Sequence, residues 1–398
     1  MAVPGGLVDG PIYLDYNATT PVDPAVTDAV LPYLSGAFGN PSSDHHYGSE
    51  PRAALDRARA QVAALIGASS ERIVFTGSGS EANALAVHGV TLAAGTDRPH
   101  VITQCTEHPA VLESCRALRS RHGVDVTYLP VCGDGMVDPA GLAAAFTPRT
   151  VLVSVMAANN ETGALQPITE LARITHEHDA VFHCDAAQAV GKLPIEVTAL
   201  GVDLLTVVGH KMYAPKGVGA LYVRPGVRLE PLVRGGGQER GLRAGTENVA
   251  FAVALGTAAR LAADDLATGA PDRVRVLRDR LHERLRAELG ERVMLNGPLE
   301  SRLPNTLNVS IDGVRGQELL AGIPELAAST GSACHSGRHS PSPVLTAMGL
   351  PAERSLSALR LSLGRWSTGE EVDRAAELII SATATPGHGG RRREIPRA

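Results

Sequence analysis

The chain has 398 residues and a formal net charge of −5, from 37 basic and 42 acidic side chains. With 44% hydrophobic, 20% charged and only 3% aromatic residues, it can bury a large core and reads as a soluble globular protein of two or three domains. Acids and bases are spread along the chain without a basic stripe to neutralise phosphates, which argues against a nucleic-acid partner.

Cysteines at 105, 115, 132, 184 and 334 make an odd count with no C-x-x-C pair. That fits neither a disulfide framework nor a zinc site, so no metal and a reducing compartment are expected. The N-terminal MAVPGGLVDGPIYLDYN has no basic stretch followed by an apolar core, and no apolar run reaches the roughly 18 residues of a membrane helix. The expected location is the cytoplasm, with no membrane partner.

From about residue 50, strand-like runs alternate with Ala/Leu/Arg-rich segments of helical period, the pattern of a mainly parallel sheet covered on both faces. Strands are predicted at 72–76, 100–104, 150–156, 180–185, 202–209 and 218–224, and helices at 50–66, 80–93, 109–121, 138–146 and 167–178. Past residue 250 the pattern changes to long helices near 248–263 and 271–289, then the strand-like TLNVSI (306–311) and LRLSLG (359–364). A second, smaller α+β domain follows from that change. The C-terminal PGHGGRRREIPRA has nothing apolar to bury and reads as a solvated tail.

Three features carry chemistry. The segment IVFTGSGSEANALAVHG passes from a strand through Gly77, Ser78, Gly79 and Ser80 into a helix, where unpaired N–H groups suit a phosphate. A capping box of Ser78 and Glu81 is equally an ordinary way to begin a helix. Strand VFHCD ends in Asp185, and the next apolar strand ends in Gly209, His210 and Lys211, which brings a carboxylate and a lysine to the edge where open α/β sheets bind ligands. Singly, each is as readily a surface or capping residue. Together they match the needs of pyridoxal phosphate: an amine for its aldehyde, a carboxylate for its ring nitrogen and donors for its phosphate.

Cys334 lies in LAASTGSACHSGRHSPSPVL, a Gly/Ser/His-rich stretch that reads as a functional loop. His335, Arg338 and His339 supply groups that favour its thiolate. Cys105, Cys115 and Cys132 read as small core hydrophobes. Cys184 precedes Asp185, and strand alternation turns it away into the core.

The ordered strings YLDYNATTP, GNPSS, IVFTGSGSEANALA, TEHPAV, NNETG, DAAQAVGKLPI, GHKMYAPKGVGALYVR, GGGQERGLRAGTEN, LPNTLNVS, GSACHS and LRLSLGRWST resemble the cysteine desulfurase and selenocysteine lyase family of class V aminotransferase-like enzymes, over nearly the whole chain. The resemblance implies the fold-type I pyridoxal-phosphate transferase architecture: a large doubly wound, mainly parallel sheet domain over 17–260, joined by an α+β domain over 261–385 to which residues 1–16 add, and a tail from 386 to 398.

Carried over by position, the resemblance implies that Lys211 binds pyridoxal 5'-phosphate, Asp185 meets its ring nitrogen, Gln188 donates to its ring hydroxyl and His108 stacks on the ring and relays protons. Gly79, Ser80 and His210 would hold the phosphate, joined by Thr246 from the neighbouring subunit of a homodimer. Asn160 and Arg360 would meet the substrate carboxylate, for which a guanidinium suits two parallel N–H bonds.

One departure is Val208, where many family members carry a serine whose hydroxyl contacts the phosphate. Its loss should cost on the order of 0.5–1.5 kcal/mol of phosphate binding. The implied reaction converts L-cysteine to L-alanine, leaves the sulfur as a persulfide on Cys334, and passes it to a protein acceptor for iron–sulfur clusters or thio-cofactors. TVVGHK, GGGQERGLRAGTEN and ACHS followed by PSPVL also resemble the selenocysteine lyase branch, which releases selenide. An aminotransferase or other fold-type I enzyme is a third reading, against which GSACHS stands.

Overall fold

The computed structural model describes residues 2–331 and 340–384. Cys334, His335, Arg338, His339 and the expected tail over 386–398 lie outside the described residues. Twelve strands occur among those described: β1 (Ile12–Tyr13), β2 (Ile73–Thr76), β3 (His100–Gln104), β4 (Asp125–Leu129), β5 (Thr150–Ser154), β6 (Val181–Asp185), β7 (Leu204–Val208), β8 (Gly219–Val223), β9 (Val293–Leu295), β10 (Thr306–Ile311), β11 (Leu326–Ala327) and β12 (Ala358–Ser362).

Seven of them form one sheet in the order β2-β8-β7-β6-β5-β3-β4. Strand β8 is antiparallel to both its neighbours, and the remaining pairs are parallel. Every residue of β2, β3, β7 and β8 is buried, as helices on both faces require of such apolar runs. This is the doubly wound sheet expected, and each of the six strands predicted in it is present.

The seventh, β4, was not anticipated. It is an edge strand with only Leu129 buried, and its polar alternation DVTYL hides it from a search for apolar runs. Helices Pro24–Ser35 and Gly369–Ala384 were also unanticipated. The first carries a start signal, since Asp23 accepts from the N–H of Ala25 and Pro24 fills the first helical turn.

A second core lies around the antiparallel sheet β12-β10-β9. Helix Val249–Ala267 packs Leu255, Ala259 and Ala262 on the large core, whereas Ala270–Leu289 sends Val274, Leu281 and Leu285 into the second. Leu14 joins that second core, and β1 pairs in parallel with β11 beside it. Among the described residues no helix is long and apolar enough to cross a membrane, and no group of three or more His, Cys, Asp or Glu could hold a metal ion.

Cysteine burial corrects one expectation. Cys115 and Cys184 are fully buried and Cys105 is half-buried, but Cys132 is exposed. It sits in the reverse turn VCGDGM, closed by bonds from its own N–H to Met136 O and from Gly135 N–H to its carbonyl, so its side chain has no core to enter.

Candidate active site

In a parallel sheet the loops after successive strands gather at one edge. Here the chain leaving β3 reaches His108, that leaving β5 reaches Asn160, β6 ends on Asp185 and β7 on Val208, followed by His210 and Lys211. Together with the start of helix Gly79–Ala93 these segments wall one cavity of about 470 Å³. Asp185, Gln188, Lys211, His108, His210, Gly79, Ser80, Asn160, Arg360 and Val208 all line it.

At one end, Ser78 caps the helix by accepting from the N–H of Glu81 at 3.1 Å, and Glu81 in turn accepts from the N–H of Gly77 at 2.8 Å. The first-turn N–H groups of such a helix have no intrahelical partner, and here they open on the cavity. The approach is close: a Cβ on Gly79 would lie 2.3 Å from Val208 Cγ2. His210 stands beside this cradle with Nδ1 3.2 Å from Thr19 Oγ1, and burial, with Lys211 close by, lowers its pKa to about 4.

Across the floor, the buried Asp185 accepts from Asn83 Nδ2 at 2.6 Å and from the N–H of Ala187 at 3.0 Å. Asn83 follows Gly79 by four positions and so faces the same side of its helix. Its Oδ1 is buried without a partner. Glu107, next to His108 in sequence, is buried, and desolvation together with the Asp185 charge raises its pKa well above the carboxylate range. It accepts from the N–H of Met156 and so supports the floor from behind.

Lys211 donates to the carbonyls of Asn17 at 2.6 Å and Ala18 at 2.7 Å. Burial and the Arg360 charge bring its pKa down to about 8, against the pull of Asp15 and Asp185. An amine so placed has a far larger neutral fraction near physiological pH than an ordinary lysine, and the neutral form can attack a carbonyl. His108 caps helix Pro109–His122, its Nδ1 accepting from the N–H of Ala110 at 3.1 Å. That bond leaves the proton of the neutral ring on Nε2. Desolvation lowers the His108 pKa, Asp185 opposing and Lys211 adding to the shift.

At the far wall, the Arg360 guanidinium is almost fully buried, donating from Nη2 to Asp15 Oδ1 at 2.7 Å and from Nη1 to the Asn160 carbonyl at 3.3 Å. Its Nε has no partner. Asp15, Asn17 and Asn83 line the cavity but were not singled out in the sequence. The first two lie inside YLDYNATTP, and the helical spacing from Gly79 was the signal for Asn83.

One expected residue is off the lining of this cavity and another lies outside the described residues. Thr246 is exposed and lies off its lining, on the surface of the chain that was expected to serve a neighbour. Cys334 is outside the described residues, while Gly331, three positions before it in sequence, lines the cavity. What the described walls can do is clear from their chemistry. They could bind an anion at a helix start, meet a basic ring nitrogen with a carboxylate, and offer an amine to a carbonyl and a guanidinium to a carboxylate.

The sequence profile of the Aminotransferase class-V family matches residues 12–375. The chain is 49% identical to "Cysteine desulfurase IscS" of Anaeromyxobacter dehalogenans (strain 2CP-C), over 93% of this chain and 91% of that protein. A solved "NIFS-LIKE PROTEIN" superposes with a TM-score of 0.86 at 36% identity, covering 94% of this chain and 99% of the other. A structure described as "SspA in complex with cysteine" does so with a TM-score of 0.78 at 35% identity, over 89% and 99%.

Proposed function

The chain belongs to the aminotransferase class-V family, and from that premise we propose that it is a pyridoxal-phosphate-dependent cysteine desulfurase. It converts L-cysteine to L-alanine and delivers the sulfur, through Cys334, to a protein acceptor for iron–sulfur clusters or thio-cofactors. The observation that carries the reading is the cavity itself, which sets Lys211, Asp185 and the Gly79 helix start against Arg360.

The walls fit the cofactor. Gly79 packs its bare backbone on Val208 with no room for a Cβ, so the helix start lies close against β7, and its first-turn N–H groups open on the cavity as a phosphate needs. Asp185, held by its two donors, would meet the ring nitrogen, and Gln188 would meet the ring hydroxyl. Gly79, Ser80 and His210 would hold the phosphate, with Thr246 of a second copy. His108 would cover the ring.

When bound, pyridoxal phosphate supplies an electron sink for the α-carbon of the substrate. Lys211, released from the Asn17 and Ala18 carbonyls, takes the α-proton. Arg360 and Asn160 orient the substrate carboxylate. His108, with its Nε2 proton, serves the substrate thiol and the departing product. The Cys334 thiolate attacks the substrate sulfur; the new S–S bond forms as the C–S bond breaks toward carbon, which after protonation leaves as alanine. Cys334 follows Gly331 by three residues, a contour of about 10 Å.

Exposed apolar side chains support a second copy. Leu31, Leu34, Phe38 and Tyr47 are large apolar side chains left exposed over a short stretch of chain. The separate cores support dividing the chain into a large domain over 17–260 and a smaller one over 261–385 that takes in residues 1–16.

The test is alanine release from L-cysteine and from L-selenocysteine in parallel, with the visible absorption of the bound cofactor recorded first. Cysteine turnover by a coloured enzyme, lost in Lys211→Ala, supports the reading. Turnover of selenocysteine alone replaces it with a lyase, and a colourless inactive protein rejects both.

A further inference from the structure

Lys192 is a titratable group for which the reaction above has no use. Helical turns after β6, with N–H bonds from Val190 to Ala186 O and from Leu193 to Ala189 O, bring position 192 back over Gln188. Its Nζ lies 2.6 Å from Gln188 Oε1 and 3.3 Å from Asn17 Oδ1. No carboxylate pairs with it among the described residues. It also lines a neighbouring pocket of about 70 Å³, which Lys211 borders as well.

The charged groups around that cavity are accounted for. Arg365 is paired with Asp23 and Asp265, and Arg273 donates to the carbonyls of Ser367 and Arg365. Burial, with Lys211 and Arg360 nearby, pushes the Lys192 pKa well below the ordinary lysine value. Placing an amine there without a counter-ion is costly, and a methionine would fill the same space without that cost.

What the amine does, together with the Asn17 carbonyl, is hold one orientation of an amide. Gln188 Nε2 donates to the Asn17 carbonyl at 3.0 Å, an atom that can only accept. A flipped amide would set two oxygens against each other at Asn17. With Oε1 on Lys192 and one N–H on Asn17, the remaining N–H of Gln188 is the group left for the cavity it lines.

We infer that Lys192 is a positioning residue: its amine holds the Gln188 carbonyl so that this amide presents an N–H, not an oxygen, to the ring hydroxyl of the cofactor. The inference rests on reading the cavity as a pyridoxal phosphate site. The contact persists when Lys211 leaves the Asn17 carbonyl, because Lys192 uses Asn17 Oδ1 and Gln188 Oε1 instead.

A donor on the ring oxygen draws negative charge away from it and weakens that oxygen's hold on the proton at the Lys211 linkage. Losing the donor should therefore raise the pH at which that linkage loses its proton, by about one unit, the worth of a hydrogen bond to a charged group. The experiment is a pH titration of the visible absorption of cofactor-loaded wild type, Lys192→Met, Gln188→Leu and the double variant. The expected result is equal upward shifts in the two single variants and no further shift in the double.

An unshifted, folded Lys192→Met overturns the inference, as does a Lys192→Met shift that persists undiminished on the Gln188→Leu background. Lys192→Gln keeps a donor and is the second variant: a wild-type midpoint supports the inference, and a midpoint equal to that of Gln188→Leu overturns it. A wild type that binds no cofactor overturns the reading of the cavity instead, so the two failures are told apart.

Discussion

At the scale of single residues, Lys211 and Val208 make opposite demands on the same ligand. Lys211, brought down to about 8, is protonated below that pH and a free amine above it. The rate at which cofactor-free protein takes up pyridoxal phosphate should therefore rise with pH around a midpoint near 8, followed by stopped-flow absorbance. Val208 offers the phosphate no hydroxyl, and its Cγ2 occupies the space a Cβ on Gly79 would need. Val208→Ser should tighten cofactor binding about three- to tenfold, as equilibrium dialysis would measure. Asp185, Lys211 and the Gly79 turn were legible because strand ends in an α/β chain converge. Asn83 was passed over although it sits one helical turn past Gly79, because its partner Asp185 lies on a strand far along the chain, and Lys192 was not legible because a tight reversal is what brings it onto Gln188 four positions before.

At the scale of elements, apolar runs betrayed the six strands whose faces are covered, the edge strand β2 among them, and the half-covered edge strand β4 escaped for the converse reason. The segment Gln238–Gly241 illustrates what no pattern search finds. Glu239 and Arg240 both adopt positive φ, of 46° and 58°, which is strained for residues with a side chain. The strain is held by Arg59, whose two terminal nitrogens each lie 2.7 Å from a Glu239 oxygen, and by the N–H of Phe75 at 2.9 Å. Arg59→Leu would leave the buried Glu239 carboxylate without its counter-ion. It should lower stability by about 3 kcal/mol, read from urea unfolding, and loosen the segment leading to Thr246.

At the scale of the whole molecule, the account requires two copies, since Thr246 is exposed away from its own cavity. Mixed dimers test this. In a pair of Lys211→Ala and Thr246→Ala subunits, one cavity loses both residues and the other regains both, so mixing and re-equilibrating the two impaired proteins should recover activity. A chain whose sites are complete within one copy would recover none. Beyond the dimer, the central claim is that sulfur leaves cysteine onto Cys334, and it is tested by measuring alanine and protein-bound sulfur together in a single turnover. The account predicts one sulfur on Cys334 for each alanine released by wild type, located by mass spectrometry of the peptide, and neither product from Cys334→Ala. Alanine released from cysteine at the wild-type rate by Cys334→Ala, with no sulfur retained on the protein, would contradict it.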